Sequence, residues 1–161
     1  MRAAPILARV TACARATDPS ASAADWGHGH EELARRLVTR LERQGIGLDS
    51  IDLVVSGANG SRRGDALEAR VLRAGFGSML PPVLAPKSVT GEYGGGFLAS
   101  ALLSLEPVDW AATPGFRRED PELGLSPYLG EELGAARRVL VTTLAAGGAA
   151  CWLVMERCDA R

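Results

Sequence analysis

Hydrophobic and polar positions alternate along this chain in two periods. The opening "PILARVTACARAT" has apolar residues at strand-like spacing, and a polar loop, "DPSASAADWGHG", follows it. From Glu31 to Gln44 the apolar positions Leu33, Leu37 and Leu41 recur every fourth residue with Val38 beside them, which predicts an amphipathic helix ended by Gly45. "IDLVV" is a short β-rich run with the character of a buried strand. After "SGANGS" the helical period returns through Leu67, Val71 and Leu72, with Asp65 and Glu68 three apart at its start. That spacing predicts a capping-box variant, Asp65 holding free N–H groups and Glu68 favouring the positive helix end. "PPVLAP" reads as a short strand between prolines, and "FLASALLSL" is apolar nearly all round, as in a helix enclosed on every side. Glu106 to Arg138 is rich in Pro, Gly and charge and reads as a long surface excursion. "RRVLVTTLAAGGAACWLVMER" predicts two apolar strands about Gly147-Gly148. Strands alternate with helices, so the expected class is a layered α/β domain spanning residues 1–161 without repeat or linker.

Composition changes this picture little. The 161 residues are 47% hydrophobic and 23% charged, with a formal net charge of -1, ordinary for a folded domain and without the excess positive charge that favours nucleic acid or anionic membrane. Lys87 is the only lysine against many arginines, a skew typical of GC-rich coding, so arginine clusters carry little functional weight. Three cysteines, Cys13, Cys151 and Cys158, form no C-x-x-C pair, and His28 and His30 stand without the cysteine or carboxylate cluster that would complete a metal site. No metal and no cofactor are expected. The sequence shows no evident signal peptide and no apolar run near the ~20 residues that cross a bilayer, so a cytoplasmic protein is the expectation.

The turn "SGANGS" admits more than one chemistry. A strand–glycine-turn–helix can cradle phosphate on backbone N–H groups, but both the Walker lysine pattern and the G-x-G-x-x-G fingerprint are missing. Asn59 can donate to an oxyanion or, as such residues do more often, close an Asx turn.

Three segments in order carry a family resemblance. "GLDSIDLVVSGANGSRRGDALEA", "PKSVTGEYGGGFLASALLSL" and "TTLAAGGAACWLVM" resemble the first-histidine segment, the Lys-Ser-x-x-Gly-His segment and the Gly-rich hairpin of the C-terminal half of a β-ketoacyl synthase, a condensing enzyme of thiolase fold. The resemblance runs from about Pro5 to Met155 and implies a thiolase-like half: a mixed five-stranded sheet layered with helices, one of them buried. It also implies that the two catalytic histidine positions fall on Gly57 and Glu92, while Lys87 is retained. The acidic residue the family places in the buried helix falls on Ala101, the aromatic gate before the paired glycines falls on Leu144-Ala145-Ala146, and the nucleophilic cysteine belongs to the other half.

These replacements have consequences. Condensation needs donors to a developing enolate, and losing one such donor typically costs about 10²–10³ in rate. Glycine offers no side-chain donor, and an ionised glutamate repels an anion. Glu92, five residues from Lys87, is read instead as its counter-charge, the alternative being a surviving acid–base role. The resemblance therefore implies a non-catalytic ketosynthase-like subunit, comparable to a chain-length factor, in fatty-acid or type II polyketide biosynthesis. Such a subunit pairs with a ketosynthase or ketosynthase-like partner. Its candidate substrate-binding residues are Asn59, Leu144, Ala145, Ala146, Gly147 and Gly148, and the substrate is an acyl-phosphopantetheine thioester on an acyl carrier protein. The alternatives are one half of a split synthase or acyltransferase with its cysteine on another chain, a homodimer, and an acyl binder without chemistry. Arg2, Arg117 and Arg118 are available to a carrier protein, although scattered arginines are usually only solvated.

Overall fold

The structure, a computed structural model, describes residues 6–158. Pro5, where the first strand pattern opens, and Arg2 lie outside the described residues. The elements run β1 (Ala8–Thr17), α1 (His30–Glu42), β2 (Leu53–Val55), α2 (Arg62–Phe76), β3 (Val83–Leu84), α3 (Lys87–Thr90), α4 (Gly94–Leu103), β4 (Arg138–Leu144) and β5 (Ala149–Arg157). They build one five-stranded sheet in the order β1-β5-β4-β2-β3. β2 runs parallel to β3 and β4, whereas β5 is antiparallel to both β4 and β1, so the sheet is mixed.

Period-2 alternation in the strands feeds two cores on opposite faces. Leu140, Trp152 and Val154 join Leu33, Leu37 and Leu41 of α1 and Val71, Leu72 and Phe76 of α2 in the first. Val139, Val141 and Met155 point the other way, onto Phe97 and Ala101 of α4 and the nearby Leu105 and Tyr128. The stripe expected at Leu33, Leu37 and Leu41 is buried, and the chain leaves α1 through Gly45 at φ +77°. In the hairpin, φ is +89° at Gly147 and +84° at Gly148, values that favour glycine. A Cβ on Gly148 would stand 2.5 Å from Asp18 O, so the turn also needs glycine to lie against the loop after β1.

The structure corrects three expectations. α4 is not enclosed on every side: Phe97, Ala101 and Leu105 are buried, but Leu98 and Leu103 are 48% and 52% exposed. An all-apolar pattern reports what a helix can bury, and this chain supplies cover for one face only. The segment from Glu106 to Arg138 is more than a surface excursion. Arg138 opens β4, Tyr128 and Ala136 are buried, and Trp110 and Leu133 pack on the second core. The capping-box reading also fails in detail. Ser61 is the N-cap of α2, its Oγ accepting from Gly64 N–H at 3.3 Å, while Glu68 is buried and turned back toward the end of β2. Among the described residues, no helix is long and apolar enough to cross a membrane.

Candidate functional site

The turn from β2 to α2 has every one of its backbone donors engaged. Gly57 N–H donates to Glu68 Oε1 at 3.2 Å, and Ala58 N–H donates to Ser56 Oγ at 3.0 Å. Asn59 and Gly60 N–H donate to the two oxygens of Asp65, at 3.1 and 2.9 Å. Ser61 N–H donates to Asn59 Oδ1 at 3.0 Å, which is the Asx turn weighed from the sequence. A phosphate cradle would need these same N–H groups free, so the geometry disfavours nucleotide binding here. Asp65 does hold free N–H groups, but they belong to the turn and not to the helix.

Glu68 is the acid that sequence reasoning misplaced. Its carboxyl accepts from Ser56 Oγ at 2.5 Å as well as from Gly57, and burial pushes its pKa up, with Asp65 adding to the rise and the hydrogen bonds opposing it. Thr142 Oγ1 is buried beside this carboxyl without a hydrogen-bond partner of proper geometry. An acid in position seven of a helix looks solvent-facing in a linear pattern. Only the return of the turn over α2 buries it.

Gly57 is packed against β4. A Cβ built there would lie 2.9 Å from Thr142 O and 3.1 Å from Thr143 Cα, so any side chain requires backbone movement. Gly64 is similarly committed, since its Cβ position is 2.7 Å from the Trp26 ring. Across the turn, Asn59 Nδ2 donates to Glu92 Oε1 and Lys87 Nζ donates to Glu92 Oε2 at 2.8 Å. The expected ion pair therefore forms. The Lys87 ammonium also lies 5.3 Å from the centre of the Phe97 ring, and its side chain is 11% exposed against 61% for Glu92. Lys87 and Asn59 hold the Glu92 carboxyl below the usual glutamate range.

The candidate residues thus divide between two places. Asn59, Lys87 and Glu92 meet between the turn after β2 and the ends of α3, while Gly57, in the same turn, packs on β4. Leu144 and Ala145 line a separate cavity of about 480 Å³ with Arg15, Arg40, Thr143 and Cys151, and Ala146, Gly147 and Gly148 are not part of its lining. The hairpin tip is tied down instead: Gly147 N–H donates to Asp25 O at 3.1 Å, and Asp18 N–H donates to Gly148 O at 2.8 Å. Asp18 is itself buried. Burial pushes its carboxyl up, but hydrogen bonds from Ser20 and Gly29 outweigh that and hold it below the usual range. Burial and the neighbouring Cys13 thiol push the Cys151 thiol up, which lowers its reactivity. His28 is exposed, His30 opens α1, and no group of three metal-ligating side chains occurs among the described residues.

Layering, strand order and the paired sheet cores define the class: a thiolase-like α/β fold, the one expected from the three ordered segments. The chain matches the ishigamide ketosynthase/chain length factor with a TM-score of 0.76 and 19% identity, over 93% of this chain and 38% of that one. The match to a type II acyl-carrier protein in complex with its ketosynthase bound to the hexaketide has a TM-score of 0.81 at 18% identity, covering 94% and 39%. A Streptomyces albus oxazolomycin ketosynthase domain gives 0.77 at 21%, covering 98% and 30%. In sequence, the chain is 35% identical over 100 residues to the ketoacyl synthase beta subunit of the tetracenomycin polyketide synthase of Streptomyces glaucescens. That alignment takes in 60% of this chain, which spans only about a quarter (24%) of the relative's length. No protein-family model matches.

Proposed function

We propose that the chain is a non-catalytic ketosynthase-like subunit of polyketide or fatty-acid biosynthesis, which pairs with a condensing-enzyme partner and shapes its acyl pocket. The observation that carries this reading is the state of the two positions that the family resemblance assigns to histidine. Gly57 has no room for a side chain, and Glu92 is an acid consumed by Lys87 and Asn59. Neither can donate to an enolate oxygen. Two further facts support it. The sequence relative is itself a beta subunit of a polyketide synthase, and two of the structural neighbours are a ketosynthase/chain length factor and a ketosynthase with its carrier protein.

The open side of the sheet supports pairing. Leu98, Leu102 and Leu103 of α4 are exposed, as is Val10, whose strand partner Met155 belongs to the core on that face. An apolar surface of this kind is the expected seat of a second lobe. Leu144 and Ala145, beside the cavity at the hairpin, would then contribute small walls to a shared acyl pocket, the acyl group arriving as a phosphopantetheine thioester on a carrier protein.

Co-expression with a ketosynthase-like protein encoded by a neighbouring reading frame, followed by intact-mass analysis of acyl loading, tests the reading. The expected result is a stable complex in which acyl groups appear on the partner's cysteine alone, with product length changing when Leu144 or Ala145 is enlarged. Acylation of a cysteine in this chain by itself would sink it. A neighbour that is only an N-terminal half, and whose condensing activity depends on this chain, would instead make the pair a split synthase.

A further inference from the structure

The segment between α4 and β4 closes on itself. Thr113 N–H and Oγ1 both donate to Tyr128 O, at 3.0 and 2.9 Å, so residues 113–128 form an Ω-shaped loop with clamped ends. Tyr128 N–H donates to Val83 O at 2.8 Å, hanging the loop on β3 at the edge of the sheet. Between the loop, the end of β2 and one face of α2 lies a cavity of about 470 Å³. That volume falls within the range of small-molecule sites, roughly 300–1,000 Å³.

Its walls are mainly apolar, with Ala69 and Leu72 from α2, Val83 from the sheet, and Phe116, Leu123 and Leu125 from the loop. Among the described residues that line it there is no lysine or arginine; the charged types are Asp65 and Glu68. Both Asp65 oxygens are engaged by Asn59 and Gly60 N–H. Glu68 is buried at the inner end, where it already accepts from Ser56 and Gly57. Both acids are thus satisfied within the chain, and the polar groups at this end of the cavity present no positive charge to a ligand.

We infer that this cavity binds an uncharged small molecule with an apolar body, its one neutral polar group lying at the Ser56–Glu68 end. Apolar walls favour the body at about 25 cal/mol per Å² removed from water. A carboxylate ligand would meet two acids and no cation, and an ammonium would have to be desolvated against apolar side chains. The cavity is separate from the hairpin cavity and does not depend on which partner covers α4.

The full chain is titrated at neutral pH with 2-octanone, octanoate and octylamine, read by saturation-transfer NMR and thermal shift. Saturable binding of 2-octanone, at least tenfold tighter than octanoate or octylamine, is expected. Leu72→Trp, which fills the cavity from α2, should lose that binding, and Leu123→Trp, which fills it from the loop, gives a second probe should the first not fold. Glu68→Gln keeps the shape of the cavity and removes an acid, so it should bind 2-octanone within a few fold of wild type and narrow the discrimination against octanoate. Absence of 2-octanone binding at millimolar concentration, equal binding by a folded cavity-filled variant, or preference for octanoate would each overturn the site. None of these outcomes bears on acyl loading of a partner, so failure here and failure of the subunit reading are distinguishable.

Discussion

The two faces of the sheet are built to different degrees of completion. On the α1/α2 face, Leu33, Leu37, Leu41, Leu72, Phe76 and Trp152 are all almost fully buried, and the two helices close the core between them. On the α4 face, Phe97, Ala101 and Leu105 are also buried, yet one residue along the helix from Phe97, Leu98 stands 48% exposed. The same hydrophobicity therefore has two uses. Where the chain supplies its own cover, apolar residues hold the fold; where it does not, they remain available to another molecule.

Four experiments break or sharpen that contrast. On the closed face, Leu41→Ala should cost about 2–5 kcal/mol, seen as a lower denaturant midpoint at unchanged m-value. A near-neutral result would show that this core is not tightly packed. Next, Gly57→His should cost about 1–3 kcal/mol by overpacking against Thr142 and Thr143. Combining it with Glu92→His should not produce condensation of malonyl thioesters by the chain alone, since no nucleophile is restored.

The third concerns pH. The folded state raises the Glu68 pKa above its unfolded value, so the folded protein binds the extra proton. Stability from this group is then fully present below the unfolded pKa of about 4.3 and declines as pH rises through the raised folded value. Glu68→Gln should flatten that decline with rising pH in chemical-denaturation curves taken across pH; an unchanged slope would assign it to other groups. Asp18 has the opposite sign, because its lowered pKa stabilises the fold above the unfolded value and is lost as pH falls. The smallest effect on the chain itself is expected on the open face. Leu98→Lys with Leu102→Lys should change its stability by no more than about 0.5 kcal/mol per site. The pair should nonetheless abolish co-purification with the proposed condensing-enzyme partner, and retention of the complex would place the interface elsewhere.

Much of the architecture was legible before any coordinates. The Leu33–Leu37–Leu41 stripe, the "IDLVV" strand and the two strands about Gly147-Gly148 are all present, and Lys87 does pair with Glu92. Such features depend on neighbours within a few residues, where side-chain period and turn chemistry act directly. Three ordered segments also sufficed to identify the fold. The site was less legible. Glu68 was read as a helix-dipole partner because three-residue spacing suggests a cap, whereas the turn above it supplies the hydrogen bonds that bury it. The 113–128 loop looked like surface because Pro, Gly and charge dominate it, although Tyr128 anchors it to β3.

What the sequence determined by itself, then, is the set of helices and strands and their α/β layering, because these follow from local periodicity and from which residues must leave water. Tertiary structure alone decided that Gly57 has no space for a side chain, that Asn59 joins Lys87 on the Glu92 carboxyl, and that α4 is covered on one side only. Each of those depends on segments about 30 to 85 residues apart in the chain meeting at a few ångströms, and no local pattern of polarity encodes such a distance.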